Sequence, residues 1–478
     1  MSGIPDYDSY DALGLAGLVA GKQVTAGELL DEAVRRTEKV NGQINAVTVR
    51  LYDEAKAQIA GGLPQGSFSG VPFLLKDLGA LLAGTRTTFG SRLYAEFVAD
   101  HDTELVSRYK RAGLVIFGKS ASPEMGISPS TEPALFGPCR SPWSLEHSAG
   151  GSSGGAAAAV AARVLPLAHA TDGGGSIRIP ASACGLFGLK PTRARTPSGP
   201  DVGEGWGGQS IAHAVSLSVR DSAALLDASA GPDIGDPYWA PPPRRPFLDE
   251  VGADPGKLRI AVTTVPWNGE PVDAECKLAA EQAAKLCESL GHVVDFATPV
   301  FDAEALRNAT RIIVAANVRN VLELRAAALG RALKPDDVEP LTFSLAQSAD
   351  KYNAMDYARS VNVLHRTGRI VAHFLGKWDV LLTPTMCQQP WPLGVLSLSN
   401  PDGDAFATAV NRSIGFTSLF NATGNPAMSV PLHWTAKGLP VGVQFVGRFG
   451  DEATLFRLAA QLEAAKPWIA RRPPVVAA

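Results

Sequence analysis

The run Thr103-Glu-Leu-Val-Ser-Arg-Tyr-Lys-Arg-Ala-Gly113-Leu-Val-Ile-Phe117 decides the fold class. Leu105, Tyr109 and Ala112 fall on one face of a helix over 103–112, and Gly113 is the residue type that lets a helix stop in a left-handed turn. Leu114–Phe117 follows at once as a continuously apolar strand, the pattern of a strand covered on both faces. A helix feeding directly into a buried strand predicts an α/β protein.

The same alternation extends in both directions. Gly70–Asp77 reads as a second buried strand that ends at Lys76-Asp77. Further upstream, Thr25 and Glu28 form a capping box for a helix over 25–40, with Leu29/Ala33 and Leu30/Val34 as its apolar stripe. Downstream, Leu258–Val262 and 293–296 are strand-like and flank a helix over 274–290, capped by Asp273 and stopped at Gly291. A long helix is expected over 303–329, a strand over Asp379–Thr383 stopped by Pro384, a strand over Val441–Val446 and a helix over 452–465. Residues 231–257 hold seven prolines, and 384–412 is also Pro-rich toward its start. Both are expected as peripheral excursions. Residues 1–478 are expected to form a single domain, with a helical region over about 1–65 and the core over about 66–200.

Composition narrows the function. Among 478 residues, 44 Lys and Arg face 47 Asp and Glu, a net charge of −3, which disfavours a nucleic-acid surface and a polybasic membrane anchor. The charged share is 19% and the hydrophobic share 45%, which suits a deep core. Five cysteines form no CxxC pair, and eight scattered histidines form no HExxH, so neither a disulfide scaffold nor a zinc site is expected. The opening Met-Ser-Gly-Ile-Pro-Asp-Tyr-Asp has no leader character, and no apolar run reaches transmembrane length. The expectation is a cytoplasmic protein without metal or organic cofactor, monomeric or homodimeric, acting on a small molecule rather than on nucleic acid or membrane.

Two motifs are decoys. Gly113-Leu-Val-Ile-Phe-Gly118-Lys119-Ser120 has the letters of a P-loop, yet Leu-Val-Ile-Phe is a strand whose amides belong to a sheet ladder rather than to a phosphate. Gly150-Gly-Ser152-Ser-Gly154 fits GxSxG, but the residues before it read as loop and not as the strand a nucleophile elbow requires.

Three separate pieces make better chemistry together. They are Lys76 at its strand end, Gly150-Gly-Ser152-Ser153-Gly-Gly155, and Thr171-Asp172-Gly173-Gly174-Gly175-Ser176-Ile-Arg178-Ile-Pro180. A serine hydroxyl needs a base to become a nucleophile, and neither serine block contains a histidine. A lysine kept neutral by burial can serve instead. Three glycines before Ser176 let several backbone N–H groups converge on one point, which a developing oxyanion requires. Singly, each piece has a plainer reading: a solvated lysine, a flexible linker and a turn.

These blocks resemble the amidase signature family of serine hydrolases. So do Gly70-Val-Pro-Phe-Leu-Leu-Lys76-Asp77, Gly118-Lys-Ser-Ala-Ser-Pro-Glu-Met125, Cys184-Gly-Leu-Phe-Gly-Leu-Lys-Pro191, Asp379–Thr385 and Leu439–Phe445. The spacing of 24 positions from Ser152 to Ser176 matches the family, and the likeness covers nearly the whole chain. The resemblance implies an α/β/α sandwich around a large twisted mixed sheet. It implies Lys76 as general base, Ser152 as bridging serine after a cis peptide from Gly151, and Ser176 as nucleophile. It further implies the amides of Gly173, Gly174, Gly175 and Ser176 as oxyanion hole, and Gly126, Ile127 and Ser128 as pocket lining. Ser153, Asp172 and Arg178 are expected as supporting residues, and Cys184 as core. Pocket walls are expected from 125–130, the 303–329 helix and 385–415. One departure is Gly173, where many members carry an aliphatic residue, and a wider pocket is expected there.

The implied activity is hydrolysis of a small carboxamide, carbamate or ester through an acyl-enzyme. In flavour it is nearest to nylon-oligomer hydrolases, aryl acylamidases and urethane-cleaving members. The alternatives are a glutamine-dependent transamidase subunit, which needs partners, and a non-catalytic binding protein on the same fold.

Overall fold

In the computed structural model, which describes residue 4 and residues 6–477, the two strands read first lie side by side. The opening residues read for leader character fall partly outside that range. β1 (Val47–Arg50) pairs antiparallel with β3 (Val115–Ser120), and β3 pairs parallel with β2 (Pro72–Lys76). The helix before β3 runs over Glu104–Arg111, and β2 and β3 are buried throughout. Successive side chains of β2 enter different cores: Phe73 and Leu75 pack with Leu105 and Tyr109, whereas Leu74 packs with the alanine-rich helix Gly154–Ala161. That two-sided burial is why the strand is apolar without alternation.

A short hairpin, β4 (Arg140–Ser141) and β5 (Ser144–Ser148), leads to the second sheet. Its strands are β6 (Leu167–Asp172), β7 (Phe187–Lys190), β8 (Ile211–Ser216), β9 (Arg259–Val262), β10 (Val293–Phe296), β11 (Val380–Pro384), β12 (Ala427–Trp434) and β13 (Pro440–Gly447). They lie in the order β10-β9-β11-β13-β12-β7-β8-β6. The β10-β9-β11 end is parallel and the remainder antiparallel, so the sheet is mixed. Helices Ala274–Ser289 and Glu452–Ala465 cover one face, and Ala303–Ala328, Ala354–Leu375 and Ser418–Thr423 the other. This is the expected α/β/α sandwich.

The two sheets meet where β2 lies beside β6. Lys76 N–H donates to His169 Nδ1 across that seam at 3.1 Å. Burial, with lesser contributions from Lys76 and His213, pushes the His169 pKa down to about 3, so the imidazole is neutral and its Nδ1 can accept.

The capping box forms as read: Glu28 N–H donates to Thr25 Oγ1 at 3.1 Å and Thr25 N–H to Glu28 Oε2 at 2.8 Å. One expectation is corrected. Asp273 occupies the N-cap position, but its carboxylate caps nothing; it accepts from Arg412 at 2.7 Å and from Gln389 N–H at 3.1 Å. The stretch 384–412 is divided: its start is packed, with Met386, Cys387 and Trp391 buried, whereas 392–408 is largely exposed apart from Leu396 and Leu398. Pro384 and Pro390 belong to the packed part, and Pro392 and Pro401 to the exposed part. The stretch 231–257 carries the exposed Ile234 and Trp239.

Candidate active site

Side-chain alternation along β2 puts Lys76 on the face of Leu74, toward the helix Gly154–Ala161 that Ser152 and Ser153 precede. Lys76 Nζ donates to Ser152 Oγ at 2.7 Å and to Thr171 Oγ1 at 2.9 Å. Burial pushes the Lys76 pKa down to about 7, against an opposing pull from the Asp172 carboxylate. At that value the amine can both take and return a proton near neutrality.

The Gly-Ser block is packed rather than flexible. A β-carbon on Gly155 would stand 2.2 Å from Ala121 N, and one on Gly154 would stand 2.4 Å from Thr131 Oγ1. The Gly151–Ser152 peptide is cis. Ser153 does not join the lysine; its hydroxyl donates to Thr171 O and accepts from Thr171 N–H, both at 3.2 Å, tying the two serine blocks together.

β6 ends at Asp172, whose carboxylate organises the glycine turn. It accepts from Gly175 N–H at 2.7 Å and from Ile177 N–H at 3.1 Å. Arg178 grips it twice, Nε to Oδ2 and Nη2 to Oδ1, each at 2.9 Å, with both side chains wholly buried. Burial alone would raise the Asp172 pKa, yet the Arg178 charge and hydrogen bonds hold it well below the usual carboxylate range. Arg178 also donates to Thr417 O, Gln444 Oε1 and Asn421 Oδ1. The ion-pairing support expected of Asp172 and Arg178 is thus present.

Ser176 is half-buried beyond this turn, and its hydroxyl makes no hydrogen bond with another described residue. The four amides expected as an oxyanion hole reduce to three. Gly175 N–H is committed to Asp172, whereas those of Gly173, Gly174 and Ser176 have no hydrogen-bond partner among the described residues. Thr417 Oγ1 donates to Gly174 O at 2.6 Å and fixes the turn from the far side. A second correction concerns Gly173. A β-carbon there would stand 2.9 Å from Cε3 and Cζ3 of Trp206, so the missing aliphatic side chain is replaced by an indole and does not widen the pocket.

Of the expected lining residues, Gly126 abuts Ser152: its β-carbon would stand 3.3 Å from Ser152 Oγ. Ile127 lines a cavity of about 500 Å³. Ser128 does not; its hydroxyl is buried and donates to Leu396 O at 2.8 Å, anchoring the 384–412 stretch. The cavity is otherwise built largely from Leu306 and Val314 of the long helix, Phe406 and Ile414 of the helix Gly403–Ile414, and Trp267 and Phe301, which lie outside the expected walls. Cys184 is buried with its thiol on Ala149 O, as expected of core. Lys119 of the P-loop decoy is buried in β3 and donates to Thr87 Oγ1.

Sequence reasoning missed His169, Trp206, Thr417 and Asn421, and for Thr171, which opens the block Thr171–Pro180, it missed the bond from Lys76. Each acts on a partner distant in sequence, and no local pattern signals the contact. Gln444 was quoted within Leu439–Phe445, but its role as an Arg178 partner was not. No helix of the described residues is long and apolar enough to cross a membrane, and no group of three or more His, Cys, Asp or Glu among them could hold a metal ion.

The family model described as Amidase matches residues 28–456. The chain is 39% identical over 479 residues to the 6-aminohexanoate-cyclic-dimer hydrolase of Paenarthrobacter ureafaciens, across 98% of this chain and 97% of that protein. A solved 6-aminohexanoate cyclic dimer hydrolase superposes with a TM-score of 0.93 at 38% identity, across 99% of this chain and 100% of the other. A solved bacterial aryl acylamidase of the amidase signature family superposes with a TM-score of 0.88 at 25% identity, across 96% of each chain.

Proposed function

The chain belongs to the amidase family, enzymes that hydrolyse carbon–nitrogen bonds, and from that premise we propose that it cleaves a small, largely apolar carboxamide through Lys76, Ser152 and Ser176. The observation that carries the reading is the 2.7 Å contact from Lys76 Nζ to Ser152 Oγ, made by a buried lysine whose pKa lies at about 7. Neutral Lys76 takes a proton from Ser152 as Ser152 takes one from Ser176. Ser176 Oγ bonds to the carbonyl carbon, and the oxyanion lies against the free N–H groups of Gly173, Gly174 and Ser176. The tetrahedral species collapses, the C–N bond breaks, and the proton returns through Ser152 to the leaving amine. Water then attacks the acyl ester by the same route and restores Ser176.

The cavity beside Ile127 suits a chain of methylenes, because most of its wall area is aliphatic and aromatic. Amides of 6-aminohexanoate, the acid named in the similar hydrolase, have that character. The test is turnover of purified protein on 6-aminohexanoate cyclic dimer, an anilide, a carbamate and an ester. Ser176→Ala is expected to lower kcat by at least about 1,000-fold, as for loss of a covalent nucleophile. A serine-directed fluorophosphonate is expected to label Ser176. Turnover of none of the four, or labelling elsewhere, rejects the reading.

A further inference from the structure

The long helix Ala303–Ala328 carries four arginines, and they divide by position. Arg319 donates to Glu323 Oε1 at 2.5 Å, and Arg325 lies over the rings of Tyr94 and Phe97. Arg307 and Arg311 are exposed, line the apolar cavity, and have no ion pair or hydrogen bond among the described residues. They are four residues apart, one turn along the same face. No Asp or Glu lines the cavity. The nearby Asp302 is used as the helix cap, accepting from Ala305 N–H, and Arg412 on the facing helix is already paired with Asp273 at 2.7 Å.

The cavity therefore has two free cations and no anion on an otherwise largely apolar wall. Its other side adjoins the reacting groups: Ile127 follows Gly126, which abuts Ser152, and Ser418 follows Thr417, which holds Gly174 O. A ligand filling it would have an apolar chain between a scissile amide at one end and a negative group at the other. Guanidinium groups match a carboxylate in shape and charge, and contact with apolar walls reduces the screening that weakens such pairs in open water.

We infer that Arg307 and Arg311 receive a carboxylate, so that the preferred substrate class is a linear ω-acylamino carboxylate. This rests on the amidase reading of the same site. It separates the preferred substrate from a cyclic dimer of an amino acid, in which ring closure leaves no free carboxylate.

The probe pair is N-hexanoyl-6-aminohexanoate and its methyl ester, which differ in the charge and one methyl group. Turnover by the unmodified protein tests the substrate class. Affinity for both compounds, measured by calorimetry in a Ser176→Ala background, tests the arginines without needing turnover. The acid is expected to bind at least about tenfold tighter than the ester, and the ratio to fall to near one in Arg307→Gln/Arg311→Gln, the range for charge-assisted hydrogen bonds. Arg369→Gln, an exposed arginine on the helix Ala354–Leu375 outside the cavity, is expected to leave the ratio unchanged. Raising salt is expected to shrink the ratio. A ratio near one in the starting protein, or one that survives the double substitution, overturns the inference whether or not either compound is hydrolysed. A ratio that behaves as expected without turnover upholds the carboxylate contact and overturns the substrate class, while the amidase reading is decided separately by the four substrates named for it.

Discussion

The indole of Trp206 lies so close to Gly173 that the two positions can hold only one bulky side chain between them. Gly173→Ile is expected to cost about 1–3 kcal/mol, the range for overpacking. In a Trp206→Ala background the same substitution is expected to cost far less, because the space is then vacant. A double-mutant cycle on thermal unfolding checks this, and additivity to within about 0.5 kcal/mol would mean that the two residues do not compete.

Ser152 and Ser153 are adjacent hydroxyls with different partners, one on Lys76 and the other on the Thr171 backbone. Ser152→Ala is expected to lower kcat strongly, and more on an anilide than on a p-nitrophenyl ester, because a poor leaving amine needs the returning proton most. Ser153→Ala is expected to lower both rates mildly and equally. Matched kinetics on the two substrates distinguish a relay from a structural serine.

In the proposed relay Lys76 accepts a proton only when neutral, so kcat/KM is expected to rise with pH, pass half-maximum near 7 and then level. Lys76→Arg is expected to be inactive, since guanidinium cannot give up its proton. The same shift has a stability consequence with a definite sign. The unfolded lysine keeps its proton up to a pKa of 10.5, whereas the folded one releases it near 7. The contribution of Lys76 to stability therefore improves as pH rises between those values. The stability advantage of Lys76→Met over wild type is expected to shrink from pH 7 to pH 10 in urea titrations.

Arg178 and Asp172 are buried together, and removing either partner leaves the other charge without compensation. Arg178→Met is expected to lower stability by about 3–5 kcal/mol. It is also expected to reduce kcat beyond what unfolding explains, because Asp172 then loses the grip that orients Gly175. Unfolding midpoints and the activity of the folded fraction provide the two readings.

Much of the frame was legible in residue pattern because it rests on local rules. Thr25 and Glu28 satisfy each other three residues apart, and the helix over 452–465 has the bounds its sequence predicts. β6 and β8 were not legible for the opposite reason. Leu-Ala-His-Ala-Thr-Asp and Ile-Ala-His-Ala-Val-Ser neither alternate nor form apolar runs, because their histidines are buried as neutral groups. The role of Thr171 was passed over since its hydroxyl meets a lysine 95 residues earlier in the chain. At Gly173 the amino-acid type alone suggested empty space, while the occupant comes from a loop more than thirty positions later. Asp273 has the residue type of a cap, and only the tertiary arrival of Arg412 diverts it.

The five-point anchorage of Arg178 also dictates when, during synthesis, this protein can become itself. Two grips come from Asp172, but the others wait for Thr417, Asn421 and Gln444. Until the ribosome has delivered almost the entire chain, a guanidinium destined for the interior stays short of partners, and a turn destined for chemistry stays unbraced. The first two-thirds of the sequence, though it holds the proposed triad of Lys76, Ser152 and Ser176, is therefore expected to be inactive on its own. A fragment ending before residue 417 is expected to lack cooperative unfolding and to leave nascent chains dependent on chaperones, so acquisition of activity marks the end of translation rather than its midpoint.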